Sequence, residues 1–153
     1  MKPIIIYASK GGNTEKIANE IVQELNCKSI KVTQPGVAGS SNLENYDLIF
    51  VGTGIHYCNP NEDLVNYLKT IHLKKPKVFG LFVTWGGAGK TSKDTIVKLK
   101  TILKAKGNRV TDDCFVCYGS GNFLRRGHPN LEDSKAVKIW TQKTIDTTLF
   151  DFK

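Results

Sequence analysis

Three short, nearly continuous apolar runs stand out along the chain: PIIIYA at 3–8, DLIFVGT at 47–53 and KVFGLFVTW at 77–85. Each is rich in β-branched and aromatic residues and is bounded by turn residues, so each reads as a strand buried on both faces, as in parallel sheets. Apolar residues recur at helical spacing over 13–26, 61–71, 91–106 and 130–148. CKSIKVT (27–33) alternates Lys28 and Lys31 with small or apolar residues, the pattern of an edge strand, and CFVCYG (114–119) supplies a last strand before the final helix. Strand and helix alternate throughout, which predicts βαβ units and a layered α/β fold with five strands. Residues 34–45 (QPGVAGSSNLEN) read as a connection.

These elements fill the 153 residues, so 1–153 is expected to form a single domain without a large insertion. Hydrophobic residues at 40% and charged residues at 24% exclude disorder and collagen-like classes. No apolar stretch reaches the roughly 18 to 20 residues of a membrane span, and the N-terminal run is too short for a secretory signal. A cytoplasmic protein is expected, with Cys27, Cys58, Cys114 and Cys117 as reduced thiols. The net charge is +8, but unevenly spread: residues 1–76 carry 8 basic and 7 acidic side chains, residues 77–153 carry 14 and 7. The basic excess therefore belongs to a face of the molecule.

The first strand runs directly into Ser9-Lys10-Gly11-Gly12-Asn13-Thr14, after which the apolar residues take helical spacing. A strand, a short loop of hydroxyl, Gly and Asn, and then a helix start present backbone N–H groups and a positive dipole end to a phosphate. TWGGAGKT (84–91) approaches the P-loop pattern, but its first Gly is Thr84 and no acidic strand motif follows. A receiver domain is excluded, because Ser9-Lys10 and Gly52-Thr53 stand where acidic residues would be needed. Cys114 and Cys117 fall within one strand at odd spacing, which sends their side chains to opposite faces and argues against a metal or dithiol site. His56, His72 and His128 show no metal-ligand spacing, and Asn130 with Asp133 gives His128 a capping context. Arg125 and Arg126 lie beyond the last strand, and Lys90, Lys93, Lys100 and Lys104 lie opposite the apolar stripe of Ile96, Leu99 and Leu103. Nothing shows the aromatic interleaving or module of a nucleic-acid binder.

YASKGGNTEKIA resembles the phosphate-binding loop of the flavodoxin family, with Gly11 where that family commonly has Thr. VGTGIHYCNP and VTWGGAGKT fall where the family places its two isoalloxazine-binding loops, so the resemblance extends over essentially the whole chain. It implies a flavodoxin-like three-layer sandwich, a five-stranded parallel sheet of order 2-1-3-4-5, and noncovalent FMN at the topological switch point. By correspondence, Ser9, Lys10, Gly11, Gly12, Asn13 and Thr14 would hold the phosphate. Thr53, Gly54, Ile55, His56 and Tyr57 would border the flavin on one side, and Thr84, Trp85, Gly86, Gly87, Ala88 and Gly89 on the other. Tyr57 and Trp85 are the candidates to stack on the ring.

Many relatives turn a peptide bond beside the flavin and carry Gly there. Here Ile55-His56-Tyr57-Cys58 occupies the stretch, so such a turn would force a residue such as Tyr57 to positive φ. The resemblance implies an electron carrier between redox proteins, with no catalytic side chain, and the basic second half favours partners with acidic surfaces. GTGIHYCNPNEDLVNYLK also resembles the corresponding loop of flavodoxin-like protoporphyrinogen oxidases, which makes a flavin-dependent oxidoreductase the alternative.

Overall fold

The computed structural model describes residues 1–32, 43–121 and 123–151, so the connection expected at 34–45 is described only from residue 43 onward. The strands are β1 (Pro3–Ala8), β2 (Lys28–Lys31), β3 (Leu48–His56), β4 (Asn59–Pro60), β5 (Val78–Trp85), β6 (Arg109–Val110) and β7 (Phe115–Tyr118). The helices are α1 (Asn13–Leu25), α2 (Glu62–Thr70), α3 (Thr91–Ala105) and α4 (Leu131–Asp151). A 3-10 turn, Phe123–Arg125, precedes α4.

The sheet runs β2-β1-β3-β5, parallel throughout, and its fifth position is shared by two short strands. β6 pairs with the start of β5 through Val78 and Phe79, and β7 pairs with its end from Phe82 to Trp85. The order is the expected 2-1-3-4-5, but among the described residues seven strands replace five. The fifth is broken because the segment between β6 and β7 bonds elsewhere: Thr111 Oγ1 donates to the Asp113 carbonyl, and Trp140 Nε1 donates to that same oxygen at 3.4 Å. The other addition is β4, which folds back antiparallel on Ile55 and His56 and so carries β3 three residues past its expected end.

Side chains alternate across the sheet, as period-2 geometry requires. Ile4, Ile6, Ile49, Val51, Phe79 and Leu81 face one way and pack with Leu64, Leu68, Leu99 and Leu103 from α2 and α3. Ile5, Tyr7, Leu48, Phe50, Phe82 and Phe115 face the other way and pack with Ile17, Ile21, Val137 and Trp140 from α1 and α4. Cys114, expected within the last strand, instead precedes β7 and packs against the first layer, while Cys117 lies in β7 and within the second. At the centre, two glycines answer two phenylalanines across β3 and β5: Phe50 pairs with Gly80 and Gly52 with Phe82. A Cβ on Gly52 would come within 2.0 Å of the Phe82 ring. The two rings fill the layer only because their partners have no side chain.

The helix ends match their local chemistry. Asn61 caps α2 by accepting from the N–H groups of Asp63 and Leu64. Asn130 and Asp133 cap α4 reciprocally, at 2.7 and 3.0 Å, and His128 Nδ1 lies 2.8 Å from the same Asp133 carboxylate. That histidine is structural. At the other edge of the sheet, Lys28 and Lys31 on β2 face solvent, and charge of this kind discourages further strand pairing.

Candidate functional site

Because α1 lies on one face of the sheet and α2 on the other, the chain leaves the C-terminal ends of β1 and β3 in opposite directions and opens a crevice between them. A cleft of about 360 Å3 occupies that crevice, within the range of small-molecule sites, roughly 300 to 1,000 Å3. It is lined by Ser9, Lys10, Gly11, Asn13 and Thr14 after β1, and by Gly54, Ile55, His56 and Tyr57 at the end of β3. Thr84, Trp85 and Gly86 after β5, with Gly119 and Gly121 after β7, complete it. A smaller cavity of about 220 Å3 lies between β6 and α4, away from these loops.

At the first loop, Gly12 takes φ +86 as the cap residue of α1, and no side chain caps that helix. Instead Ser9 Oγ accepts from Gly12 N at 3.1 Å, bending the loop over the helix end. The dipole end of α1 therefore opens toward the cleft without a carboxylate in front of it. Glu15, the one acidic residue of the first turn, is turned aside: Tyr7 donates to its carboxylate at 3.0 Å and Lys31 at 2.9 Å. Those hydrogen bonds hold the Glu15 carboxyl below its usual range. On the partner side, burial together with Glu15 pushes the Tyr7 phenol up to about 12.

Two side chains of the loop are braced from other elements. Thr14 Oγ1 lies 2.8 Å from Thr84 Oγ1 in a buried contact that joins α1 to β5. Ser120 Oγ donates to Asn13 Oδ1 at 3.0 Å. Gly119 makes room for Asn13, since a Cβ there would lie 2.7 Å from Asn13 Nδ2.

The end of β3 forms the opposite bank. Tyr57 and Cys58 are the two central residues of the tight turn into β4, at φ 48 and 63. Both lie in the left-handed region that two-residue hairpins require and that Asn-Gly normally supplies. The turn leaves the Tyr57 ring 99% exposed at the rim. The His56 ring folds back over Gly54, with Nε2 and Thr14 Oγ1 each 3.3 Å from the position a Gly54 Cβ would occupy. Gly54 thus keeps the floor of the cleft open. Burial, and then the charge of Lys10, hold the His56 imidazole below its ordinary range.

Five of the residues expected at the site do not line the cleft. Thr53 is fully buried and its hydroxyl ties the hairpin to α2, accepting from Asn61 N and donating to the Gly54 carbonyl. Gly12 is spent on the left-handed cap. Gly87, Ala88 and Gly89 turn away to start α3, where the Ala88 carbonyl accepts from the Thr91 backbone N–H and hydroxyl. Trp85 does line the cleft, and its ring lies parallel to Tyr118, 6.0 Å between centroids. Arg125 rests on the Tyr118 ring, 3.7 Å from its centroid, rather than reaching into the cleft. Gly119 and Gly121 were missed from the sequence, although Gly-Ser-Gly directly after a strand end is a signal of close backbone approach.

Among the described residues, no cluster of His, Cys, Asp or Glu could hold a metal, and no helix is long and apolar enough to cross a membrane. The chemistry of the cleft suits an anionic ligand with a flat ring: an uncapped helix end beside Lys10, a floor that a side chain on Gly54 would fill, and walls that include glycine backbone and the Trp85 ring.

Comparison with known proteins identifies the family and matches the fold. A family model described as a flavodoxin domain matches residues 4–123. An uncharacterized protein of Methanocaldococcus jannaschii is 33% identical over 156 aligned positions, covering 95% of this chain and 99% of that protein. Among solved structures, flavodoxin 1 from Bacillus cereus superposes with a TM-score of 0.75 at 20% identity, covering 95% of this chain and 98% of its own. The flavodoxin of Fusobacterium nucleatum bound to flavin mononucleotide gives 0.69 at 20% identity, covering 96% and 99%.

Proposed function

The chain belongs to the flavodoxin family, and on that premise we propose that it binds FMN noncovalently and passes electrons between redox proteins. One observation carries the reading: the N-terminus of α1, uncapped by any side chain, opens into a cleft whose described lining contains Lys10 and no carboxylate. In this reading Ser9, Lys10, Gly11, Asn13 and Thr14 hold the phosphate, with Gly12 shaping the loop. Ile55, His56 and Tyr57 border one side of the ring system, and Thr84, Trp85 and Gly86 the other. The flavin supplies the electron chemistry when bound, and this chain's residues orient it and set the charge around it. Lys90 at the start of α3 and Lys93 and Lys104 along it are exposed and suit a partner with an acidic surface.

The test is a titration of the cofactor-free protein with FMN and with riboflavin, followed by absorption and flavin fluorescence. FMN is expected to bind far more tightly than riboflavin, which lacks the phosphate. Lys10→Gln, at an exposed position, should weaken FMN by about three- to tenfold, the worth of one charge-assisted contact, and leave riboflavin unchanged. Equal affinity for the two flavins, or equal losses in the variant, would refute a phosphate site at the β1–α1 loop.

A further inference from the structure

His56 stands out within the cleft. Among the described lining residues only Lys10, His56 and Tyr57 can titrate. Tyr57 is turned out to solvent at the hairpin tip, whereas the His56 ring folds inward over Gly54 toward the Thr14 hydroxyl. Among the described residues that line the cleft around the ring there is no carboxylate, and Glu62 and Asp63, in the first turn of α2, lie outside that lining. The β1–α1 loop contributes Lys10, and the Glu15 carboxylate of α1 is occupied by Tyr7 and Lys31. β5 offers the Thr84 hydroxyl, the segment after β7 contributes Gly119 and Gly121, and Arg125 is held on Tyr118.

Resting on the FMN reading, we propose that His56, on the bank that borders the ring system, is proton-linked to the phosphate end of the site through its approach to Thr14 over Gly54. It takes up a proton when a phosphate monoester binds beside Lys10 and Thr14, so that FMN, unlike riboflavin, is held more tightly as the solution becomes more acidic. The physical reason lies in what the imidazole faces before and after binding. In the free protein it is half-buried and faces a cation, and both effects favour the neutral ring. A phosphate at the α1 N-terminus neutralises Lys10 and brings its own negative charge close to the ring. Binding therefore reverses the sign of the field at His56, and by linkage proton uptake and phosphate binding strengthen each other. No bond is made or broken; one proton passes from solvent to a ring nitrogen.

The experiment compares wild type with His56→Gln, each titrated with FMN and with riboflavin between about pH 6 and pH 8, where an ordinary imidazole titrates. The phosphate of free FMN ionises in the same range, but identically in both titrations, so that contribution cancels in their ratio and what is left is the coupling to His56. Wild type should gain about threefold or more in FMN affinity over the variant as the pH falls, the size expected for one charge acting on another at the edge of a cleft. The riboflavin ratio should stay flat. Independently, NMR of the wild-type imidazoles, with His56 assigned by its loss in the variant, should show its pKa rising when FMN is added and not when riboflavin is added. FMN binding with a wild-type to variant ratio independent of pH, or a His56 pKa that moves equally with both flavins, would overturn this proposal and leave the FMN reading intact. Binding of neither flavin would overturn both.

Discussion

Tyr57 and Cys58 occupy two left-handed positions in succession, and for residues with a Cβ that conformation costs on the order of 1 kcal/mol each. Cys58, exposed and outside the cleft lining, isolates this cost. Cys58→Gly should stabilise the protein by about 0.5 to 1 kcal/mol, part of the relief being offset by the greater freedom of glycine in the unfolded chain. Urea unfolding read by tryptophan fluorescence checks it, and an unchanged or lowered midpoint would show that the turn is not strained. His56 makes a second prediction at this scale. Its pKa is lowered on folding, so the unfolded chain binds the proton more readily. The stability this represents is complete above about pH 6.5, the unfolded value, and is lost as pH falls from there through the folded value. The cofactor-free protein should therefore lose stability on mild acidification more steeply than His56→Gln, as comparison of their unfolding midpoints will show. Had the variant shown the steeper loss, the sign of the environment around the ring would be wrong.

At the scale of elements, β3 and β5 join through reciprocal glycine–phenylalanine pairs that are unequal in tightness. A Cβ on Gly52 would meet the Phe82 ring at 2.0 to 2.7 Å, whereas one on Gly80 would meet Phe50 at 3.1 and 3.2 Å. Gly52→Ala should thus cost about 3 kcal/mol or more and Gly80→Ala about 1 kcal/mol, both measurable by denaturant unfolding. Equal costs would mean that the central strands shift freely to absorb a methyl group. Much of this level could be read in advance. The buried strands announced themselves as apolar runs, α4 by its Asn130–Asp133 capping pattern, and the strand-to-helix junction before α1 by its hydroxyl, glycine and asparagine residues. All of these signals arise within a few residues of one another. The division of the fifth strand had no such signal, because it rests on Trp140 reaching the Asp113 carbonyl from 27 residues away.

Across the whole molecule the four thiols report the depth of the fold. Cys58 is exposed, Cys27 and Cys114 are half-buried, and Cys117 lies in the sheet, where burial pushes its thiol up to about 12. At pH 8 its thiolate fraction is of order one in ten thousand, since each pKa unit above the solution pH costs a factor of ten. Alkylation of the native protein should therefore label Cys58 first and Cys117 last, with Cys117 protected until β7 leaves the sheet. Peptide mapping after timed labelling decides this, and early modification of Cys117 would show that the sheet edge opens without global unfolding.

The sequence alone determined the layered order of strands and helices, the edge character of β2 and the reciprocal cap of α4, because each depends on neighbours within one or two turns of chain. The tertiary structure decided which side chains share the cleft. Thr53 and Gly54 are adjacent in sequence, yet one hydroxyl is buried against α2 while the other residue floors the site, since alternate strand positions face opposite sides. Asn13 meets Gly119 and Ser120, and Thr14 meets Thr84, across separations of 107 and 70 residues for the two side-chain bonds. His56 acquires its Lys10 neighbour in the same way. Those distances are closed by the packing of helices on both faces of one sheet, and no local pattern in the chain encodes them.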